Sequence, residues 1–344
     1  MRIPSLVLHT VSSLLFKSLL LLFTININSY AKDDGKPLEL TQQNHPLVGK
    51  IWDVNKQQYI TKDQLLQITL VSDYLLLGET HDNIKHHQDH GWIINELNKK
   101  GLNIVVALEM VTEDQAKAIN SSENPTTDNV MDTLEAAKIG WEYKKYYRPV
   151  FDRIVKANIK IYPADLDKAT MMKVVREGKE NAPDELKSLL KTNQLSDEVR
   201  EALKKEIEGT HCGMINDEMT KAMMLGQQVR DAAMANNMFA LKDAETQAVV
   251  LISGSGHIRK DRGAPMYLSS KDKTASITSI AWLEVDEDTT DPKVYATPWG
   301  RDVLPFDYVV FTPTADRPDP CEEMKKFMEH KHKKNHDKKT TDDI

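Results

Sequence analysis

Residues 74–83, with the sequence YLLLGETHDN, constrain the fold more than any other stretch of the chain. The apolar run predicts a buried strand, and Gly78 after it predicts a sharp turn. The ionisable side chains of Glu79 and His81 follow at once, ahead of an apolar-periodic helix over residues 84–97. Open α/β sheets bind their ligands where the strands end, so this strand end is a candidate binding site.

Two later strands are predicted to end in the same way. Residues 103–108 (NIVVAL) predict a strand that ends at Glu109, and residues 248–252 (AVVLI) predict one that precedes His257. Strands alternate with helices, which predicts an α/β fold with a mostly parallel central sheet flanked by helices. Parallel strands place their carboxyl ends at one edge, so His81, Glu109 and His257 are expected to share one pocket.

Other residues near these strand ends complete the predicted pocket. Gly254 and Gly256, like Gly78, are expected to let the backbone turn tightly enough to aim the histidines inward. Glu79 is expected to join the pocket, and Arg259 and Asp261 are expected to lie on its rim.

Residues 165–245 are charged and helix-prone, which predicts an inserted helical subdomain that covers the carboxyl edge of the sheet. A solvated helical face would explain the same charge. One long helix is predicted over residues 217–241. It carries a methionine stripe, which is more typical of core packing than of a ligand pocket. The methionines lie at positions 219, 223, 224, 234 and 238.

Two further clusters could bind a ligand. Residues 141–147 hold four aromatic side chains, although aromatic residues make up only 6% of the chain. They are either rings that cap the core at a helix start or a platform for a large planar ligand. His86 and His90 lie four residues apart and could chelate a metal, although such pairs more often lie on a solvated face. His87 points elsewhere on the helix and could turn towards the strand end.

The two ends of the chain are predicted to lie outside the fold. Residues 1–31 predict a secretory signal peptide that is cleaved before Lys32, with an uncleaved N-terminal anchor as the alternative. Residues 32–320 are expected to form one domain, and the Lys- and His-rich residues 321–344 a disordered tail. The even cysteine count in an exported chain favours a disulfide between Cys212 and Cys321. The net charge of −7 argues against nucleic acid as a partner.

From about residue 49 to residue 321, the chain resembles the ChaN family of the haem-binding uptake and Tiki superfamily. The superfamily shares two Gly-x-x-His motifs and a glutamate, which match Gly78 to His81, Gly254 to His257, and Glu109. The resemblance implies an α/β fold with a helical cover. It also rests on GETHDN at 78–83 with His86-His87, Met110, Gln115, Trp141, Tyr147-Arg148-Pro149, His211-Cys212-Gly213, RDAAMA at 230–235, Arg259, Asp261, Gly263, Pro265, DYVVFTP at 307–313 and RPDPC at 317–321.

The resemblance implies two possible functions, of which the first is haem binding. ChaN-like members are described as iron-regulated proteins that bind haem. The chain would then be a periplasmic or secreted protein of haem and iron acquisition, with a homodimer and an outer-membrane haem receptor as possible partners. The candidate axial ligands are Tyr147, Tyr146 and His211, because haem iron takes Tyr or His ligands. Arg148 or Arg259 could pair with the propionates. Replacing Tyr147, but not His81, is then expected to alter the Soret band.

The second possible function is a metal-dependent hydrolase or protease, as in Tiki-like and erythromycin-esterase-like relatives. His81, Glu109 and His257 would hold Zn²⁺, Mn²⁺ or a similar divalent ion and leave an open position for water. Glu79 would be the general base. The His-Glu-x-x-His motif of zincins is absent, and so is a lipobox cysteine. A polar network without a ligand is the remaining alternative for these residues.

Overall fold

The computed structural model describes residues 35–326 and residue 329 of the 344-residue chain. The predicted signal peptide, residues 1–31, and most of the predicted tail therefore lie outside the described residues. Within the described part, none of the helices combines the length and the apolarity that crossing a membrane requires. Residues 320–326 are helical, so the predicted disordered tail begins with ordered backbone.

Within residues 35–326, ten strands form two sheets, and the larger one is the centre of the fold. The strands are β1 Leu40–Thr41, β2 Ile51–Asp53, β3 Gln58–Ile60, β4 Tyr74–Glu79, β5 Ile104–Leu108, β6 Ile161–Pro163, β7 Ala248–Gly254, β8 Ile277–Glu284, β9 Tyr308–Thr312 and β10 Thr314–Ala315. The central sheet has the order β3-β2-β9-β8-β4-β7-β5-β6, and β1 pairs with β10.

Six strands of the central sheet, from β9 to β6, run parallel, while β2 and β3 add an antiparallel edge. Every residue of β4 is buried, as expected for a strand with helices on both faces. The register of β4 and β7 pairs Glu79 with Gly254, and β5 lies on the other side of β7. The predicted α/β fold with a mostly parallel sheet is confirmed.

Helices cover both faces of this sheet. They are α1 Lys62–Thr69, α2 Ile84–Lys99, α3 Glu113–Asn120, α4 Thr127–Ala136, α5 Arg148–Lys156, α6 Lys168–Glu177, α7 Asp184–Thr192, α8 Asp197–Thr210, α9 Asp217–Leu241 and α10 Ala264–Lys271. A π-helix, Tyr143–Tyr147, precedes α5, and 3₁₀ turns occur at Lys179–Asn181, Ser255–Ile258 and Val294–Trp299.

Alternate residues of β4 enter two separate cores, because successive side chains of a strand point to opposite faces. Leu75 and Leu77 pack with α2 and α5 in one cluster. Tyr74 and Leu76 pack in the other with α9, whose buried Met234 belongs to the same cluster. The methionine stripe therefore contributes to core packing, as its spacing predicted.

The predicted helical insertion corresponds to α6 through α9. Two side chains of α9, Arg230 and Asp231, contact residues at the carboxyl ends of β5 and β7, so this helix reaches the edge where the site lies. A disulfide joins Cys212, just after α8, to Cys321, with 5.6 Å between their Cα atoms. The predicted pairing is confirmed.

Candidate functional site

Glu79, the last residue of β4, is the centre of the site. Its carboxylate is fully buried. Oε1 accepts hydrogen bonds from the Tyr147 hydroxyl at 2.7 Å and from His81 Nδ1 at 3.0 Å. Oε2 faces Nδ1 of His87 at 3.2 Å and Nδ1 of His90 at 3.5 Å. Burial raises the pKa of Glu79, but the facing imidazoles outweigh it and hold the pKa well below its usual range.

The start of α2 fixes the positions of its histidines. Asn83 caps the helix, and its amide donates to Glu284 Oε1 at 2.7 Å, which ties the helix start to the end of β8. His87 and His90 are three residues apart and therefore share the face that points at Glu79. Neighbouring His86 is turned away from Glu79. The pair that converges on Glu79 is thus His87 with His90, and His86 does not take part in it. The expected solvated face for His86 and His90 is wrong, because both are buried, and His87 does turn towards the end of the strand.

His86 is a satisfied buried histidine. The Thr80 amide donates to its Nδ1 at 2.9 Å, and its Nε2 lies 2.8 Å from the hydroxyl oxygen of Thr312. Because Nδ1 accepts, the ring proton lies on Nε2. Burial lowers the pKa of His86 well below its usual value, so the ring is neutral at physiological pH. His86 joins the β4–α2 turn to β9 and has no nitrogen left for a ligand.

His81 is the most accessible histidine of the cluster, with 39% of its side chain exposed. Its ring lies perpendicular to the indole of Trp141, with 4.7 Å between the centroids. Burial lowers the pKa of His81, but the hydrogen bond to Glu79 and the charge of Glu109 outweigh it, so that its pKa is raised. A Cβ at Gly254 would lie 3.1 Å from His81 Nε2, so Gly254 provides space for this ring.

Gly78 has a different role from the predicted one. It lies within β4 and does not form a turn, so the predicted sharp turn at this position is wrong. A Cβ at Gly78 would lie 2.5 Å from Cδ1 of Ile258, which packs directly on the strand. The glycine is needed because the 3₁₀ turn after β7 approaches β4 closely, and no larger residue fits between them.

Glu109 and His257, at the ends of β5 and β7, lie beside each other, with 3.6 Å between Glu109 Oε1 and His257 Nε2. Arg230 donates to Glu109 Oε1 at 2.6 Å, and the Gly254 amide donates to Oε2 at 2.8 Å. On its other side, His257 Nδ1 lies 2.6 Å from Asp231 Oδ1. Burial raises the pKa of Glu109, but His257 and Arg230 outweigh it and lower the pKa to about 2.

The structure therefore brings His81, Glu109 and His257 to one edge of the sheet, as the topology predicted. Each is engaged with a charged partner there: Glu79, Arg230 and Asp231 respectively. Among the described residues, the histidine and carboxylate atoms that converge closely enough to hold a metal ion belong to a different set, Glu79, His87 and His90. The pairing roles of Arg230 and Asp231 were not predicted, although both lie in the RDAAMA segment.

The aromatic segment is largely part of the core. Tyr143, Tyr146 and Tyr147 are buried in the cluster under α2 and α5, which favours the core-capping interpretation for these three rings. Burial, reinforced by Glu79, raises the pKa of Tyr147 well above its usual value, so its hydroxyl stays protonated. Trp141 is partly exposed and remains available as a flat surface next to His81.

The other predicted cofactor residues lie in three different environments. Arg148 is 45% exposed and pairs with Asp128. It also lines a basic surface cavity of about 350 Å³, together with Lys144, Lys145 and Arg153. His211 lies at the end of α8, and its Nδ1 is 2.7 Å from the Ile207 carbonyl. Among the described residues, the side chain of His211 has hydrogen-bond neighbours in Ile207 and Thr210, and none in Glu79 or His81.

Arg259 is fully buried, so the prediction that it lies on the rim is wrong. Its guanidinium donates to both oxygens of Asp261, at 2.9 and 2.7 Å, and to Glu206 of α8 at 2.9 Å. A buried guanidinium needs such partners, because an uncompensated charge in the interior is strongly destabilising. Arg259 and Asp261 thus join the loop after β7 to α8.

Fold and site together define an α/β protein with a histidine- and carboxylate-lined site at the carboxyl edge of a parallel sheet. Residues 65–268 match the family described as "Haem-binding uptake, Tiki superfamily, ChaN", and the chain belongs to this family. No curated protein matches the chain.

A solved structure shows the same fold. ChaN of Campylobacter jejuni, described for its cofacial haem binding, is similar at 22% identity and a TM-score of 0.59, over 76% of this chain and 95% of that chain. A mutant of the erythromycin esterase EreC in its open conformation is 11% identical with a TM-score of 0.44, over 80% and 99% of the two chains. The type III effector HopBA1 is 14% identical with a TM-score of 0.40, over 73% and 92%. The last two similarities are too low to support an argument.

Proposed function

We propose that this chain is an exported haem-binding protein of haem and iron acquisition, and that His81 is the axial ligand of the haem iron. The observation that carries the proposal is the state of His81, a part-exposed imidazole whose Nδ1 is held by the buried carboxylate of Glu79. Membership of a haem-binding uptake family and the fold shared with a haem-binding ChaN support it.

The Glu79–His81 hydrogen bond prepares the imidazole for iron. Histidines that bind a metal usually donate their second ring N–H to a carboxylate or carbonyl, which fixes the tautomer and makes the free nitrogen more basic. With one proton held on Nδ1, His81 would bind iron through Nε2, and the iron would displace any second proton from that nitrogen, which the raised pKa favours. The other axial candidates are less suited, because Tyr147 and Tyr146 are buried and the Tyr147 hydroxyl already donates to Glu79.

Trp141 and the basic segment that follows it in the chain would supply the other contacts that haem requires. Trp141 stands beside the imidazole and offers an apolar face to the porphyrin. Lys144, Lys145 and Arg148, which line the basic surface cavity, lie a few residues after Trp141 in the chain. They would provide cations for the propionates. Arg148 is therefore retained as a propionate partner, whereas Arg259 is fully engaged elsewhere.

The test is a haem titration of the purified chain followed by its Soret band. The wild type should give a saturable band, and His81→Ala should shift it and weaken haem affinity by about tenfold or more. His211→Ala is the matched control and should leave the band unchanged. A band that is altered by Tyr147→Phe but not by His81→Ala would transfer the axial role to Tyr147. Absence of a saturable band in the wild type would refute haem binding.

A metal-dependent hydrolase is the second candidate, favoured by one observation. His257 is positioned by Asp231 and directs Nε2 towards Glu109, an arrangement common among metal-binding histidines. The hydrolase ranks second because its predicted carboxylate ligand, Glu109, is already paired with Arg230. Its predicted general base, Glu79, has a pKa held well below the usual range, which makes it a weak base. Hydrolysis of ester or peptide substrates that is lost with a chelator and with His257→Ala, but not with His211→Ala, would favour this candidate.

The proposal extends to the partners of the protein. We expect a soluble periplasmic or secreted chain that forms a homodimer and passes haem to or from an outer-membrane haem receptor. Sedimentation of the purified chain with and without haem measures directly whether it forms the homodimer. Monomeric behaviour in both states would remove the dimer from the proposal and leave haem binding itself intact.

A further inference from the structure

We infer that Glu79, His87 and His90 form a buried binding site for a divalent transition-metal ion, next to the proposed haem ligand His81, which contacts the other oxygen of Glu79. The three residues come from the end of β4 and one face of α2, and all three side chains are fully buried. Glu79 Oε2 lies close to both His87 Nδ1 and His90 Nδ1.

The spacing of these atoms is close to that of the ligands of one metal ion. Zn²⁺ binds nitrogen and oxygen ligands at about 2.0–2.2 Å, so tetrahedral ligands stand about 3.3–3.6 Å apart. Glu79 Oε2 lies 3.2 Å from His87 Nδ1 and 3.5 Å from His90 Nδ1, and one nitrogen or oxygen atom from each of the three residues lies within 4.8 Å of the others. Neither Oε2 nor the two Nδ1 atoms has a partner with hydrogen-bond geometry.

The tautomer of His87 points to the same conclusion. Its Nε2 lies 3.0 Å from the His81 carbonyl oxygen, which can only accept, so a proton must lie on Nε2. Its Nδ1 faces the carboxylate oxygen of Glu79 at 3.2 Å, so either a second ring proton or a metal ion must lie between these two atoms. A histidine whose second N–H is held by a backbone carbonyl is a common form of metal ligand.

His90 provides the second independent observation. It is fully buried, and neither ring nitrogen has a hydrogen-bond partner among the described residues. Its ring lies perpendicular to Trp282, with 4.5 Å between the centroids. Buried polar atoms in folded proteins are satisfied in the great majority of cases. One metal ion would satisfy His90 Nδ1, His87 Nδ1 and Glu79 Oε2 together, and its charge would compensate the buried carboxylate.

The donor set indicates the class of ion. Two imidazoles and one carboxylate suit Zn²⁺ and neighbouring first-row ions, whereas Ca²⁺ and Mg²⁺ prefer sites made of oxygen atoms. The second oxygen of Glu79 is held by Tyr147 and His81, so the carboxylate would bind through one atom. His86 is excluded as a ligand, because both of its nitrogens are occupied.

The experiment is a titration of the metal-stripped full chain with Zn²⁺, followed by calorimetry and by the melting temperature. We expect one high-affinity equivalent and a melting temperature that rises with Zn²⁺ concentration. His90→Leu should lower the affinity about 100-fold or more and keep the chain folded, since His90 makes no hydrogen bond that would be lost. His211→Leu is the matched control and should bind Zn²⁺ like the wild type.

Two outcomes would overturn the inference. One is a wild type that binds no Zn²⁺, and the other is binding that survives His90→Leu but disappears with His257→Ala. If His90→Leu does not fold, X-ray absorption of the Zn²⁺-loaded wild type decides, because two imidazole ligands are expected and their absence refutes the site. Haem titration separates this site from the haem proposal: His90→Leu should keep the Soret band, and His81→Ala should keep the Zn²⁺.

Discussion

At the scale of single residues, Glu79 and Glu109 show how two buried carboxylates of one sheet edge acquire different roles. Both have lowered pKa values despite burial. Glu109 has both oxygens occupied, one by Arg230 and one by the Gly254 amide, so it is a satisfied ion pair. Glu79 has one oxygen that faces imidazole nitrogens without a hydrogen bond. Of these two carboxylates, Glu79 is therefore the one with an oxygen available to a metal ion.

Glu109→Gln should change how stability depends on pH. A lowered carboxyl pKa contributes stability that is present above the unfolded value near 4.5 and is lost as the pH falls through about 2. The contribution is about 3 kcal/mol at most, at 1.36 kcal/mol per pKa unit. Urea unfolding should find the variant less stable at pH 7 and the difference shrinking between pH 4.5 and 2.5. An equal difference at both ends of that window would contradict the assignment.

At the scale of elements, long-range links attach α8 to the rest of the molecule. Glu206 of α8 accepts from Arg259 at 2.9 Å and from Arg262 at 2.8 Å, which joins the helix to the loop after β7. The disulfide joins the end of the same helix to Cys321, 109 residues later in the chain. The helical segment above the site is thus attached at two points and not only through its own core.

Removing the disulfide should therefore destabilise the protein. The chain-entropy model assigns roughly 4–5 kcal/mol to closing a loop of this length, and measured values are often smaller. Urea unfolding of a Cys212→Ser/Cys321→Ser double variant should show a lower midpoint, and the wild type should approach it under reducing conditions. The reductant should leave the double variant unchanged, which is the internal control. Identical midpoints for the two oxidised proteins would contradict the prediction.

At the scale of the whole molecule, the strand order creates the site. β4, β7 and β5 are neighbours in the sheet, so Glu79, Gly254 and Glu109 end side by side although up to 175 residues separate them in the sequence. Helices α2 and α9 then approach this edge from opposite faces and bring histidines and an arginine to it. One parallel sheet thereby supports two adjacent groups of ionisable residues.

Export is the prediction that concerns the whole chain. Residues 1–31 have the pattern of a signal peptide, so the mature protein should begin near Lys32. N-terminal sequencing of the protein recovered from the periplasmic or secreted fraction measures this directly. A chain that still begins at Met1 would support the alternative of an uncleaved anchor and would leave the site unaffected.

The sequence by itself determined the strands, their shared edge and the disulfide. Long apolar runs specify buried strands locally, and parallel connections then force His81, Glu109 and His257 to the same edge. The count of two cysteines predicts the pairing, since a chain that is expected to be exported and has only two can close a bridge within itself in a single way. The family could be identified because its motifs occur in order along the chain.

Tertiary structure decided which side chains meet. Whether His86 or His87 faces Glu79 depends on the rotation of α2 about its axis, since successive helical residues point about 100° apart and packing sets that rotation. Burial of Arg259 and the close contact between Gly78 and Ile258 arise from segments about 50 and 180 residues away, which no local pattern encodes. Propensity and periodicity act over a few neighbouring residues. Burial, hydrogen-bond partners and the Glu79 oxygen that lacks such a partner arise only once distant elements pack together.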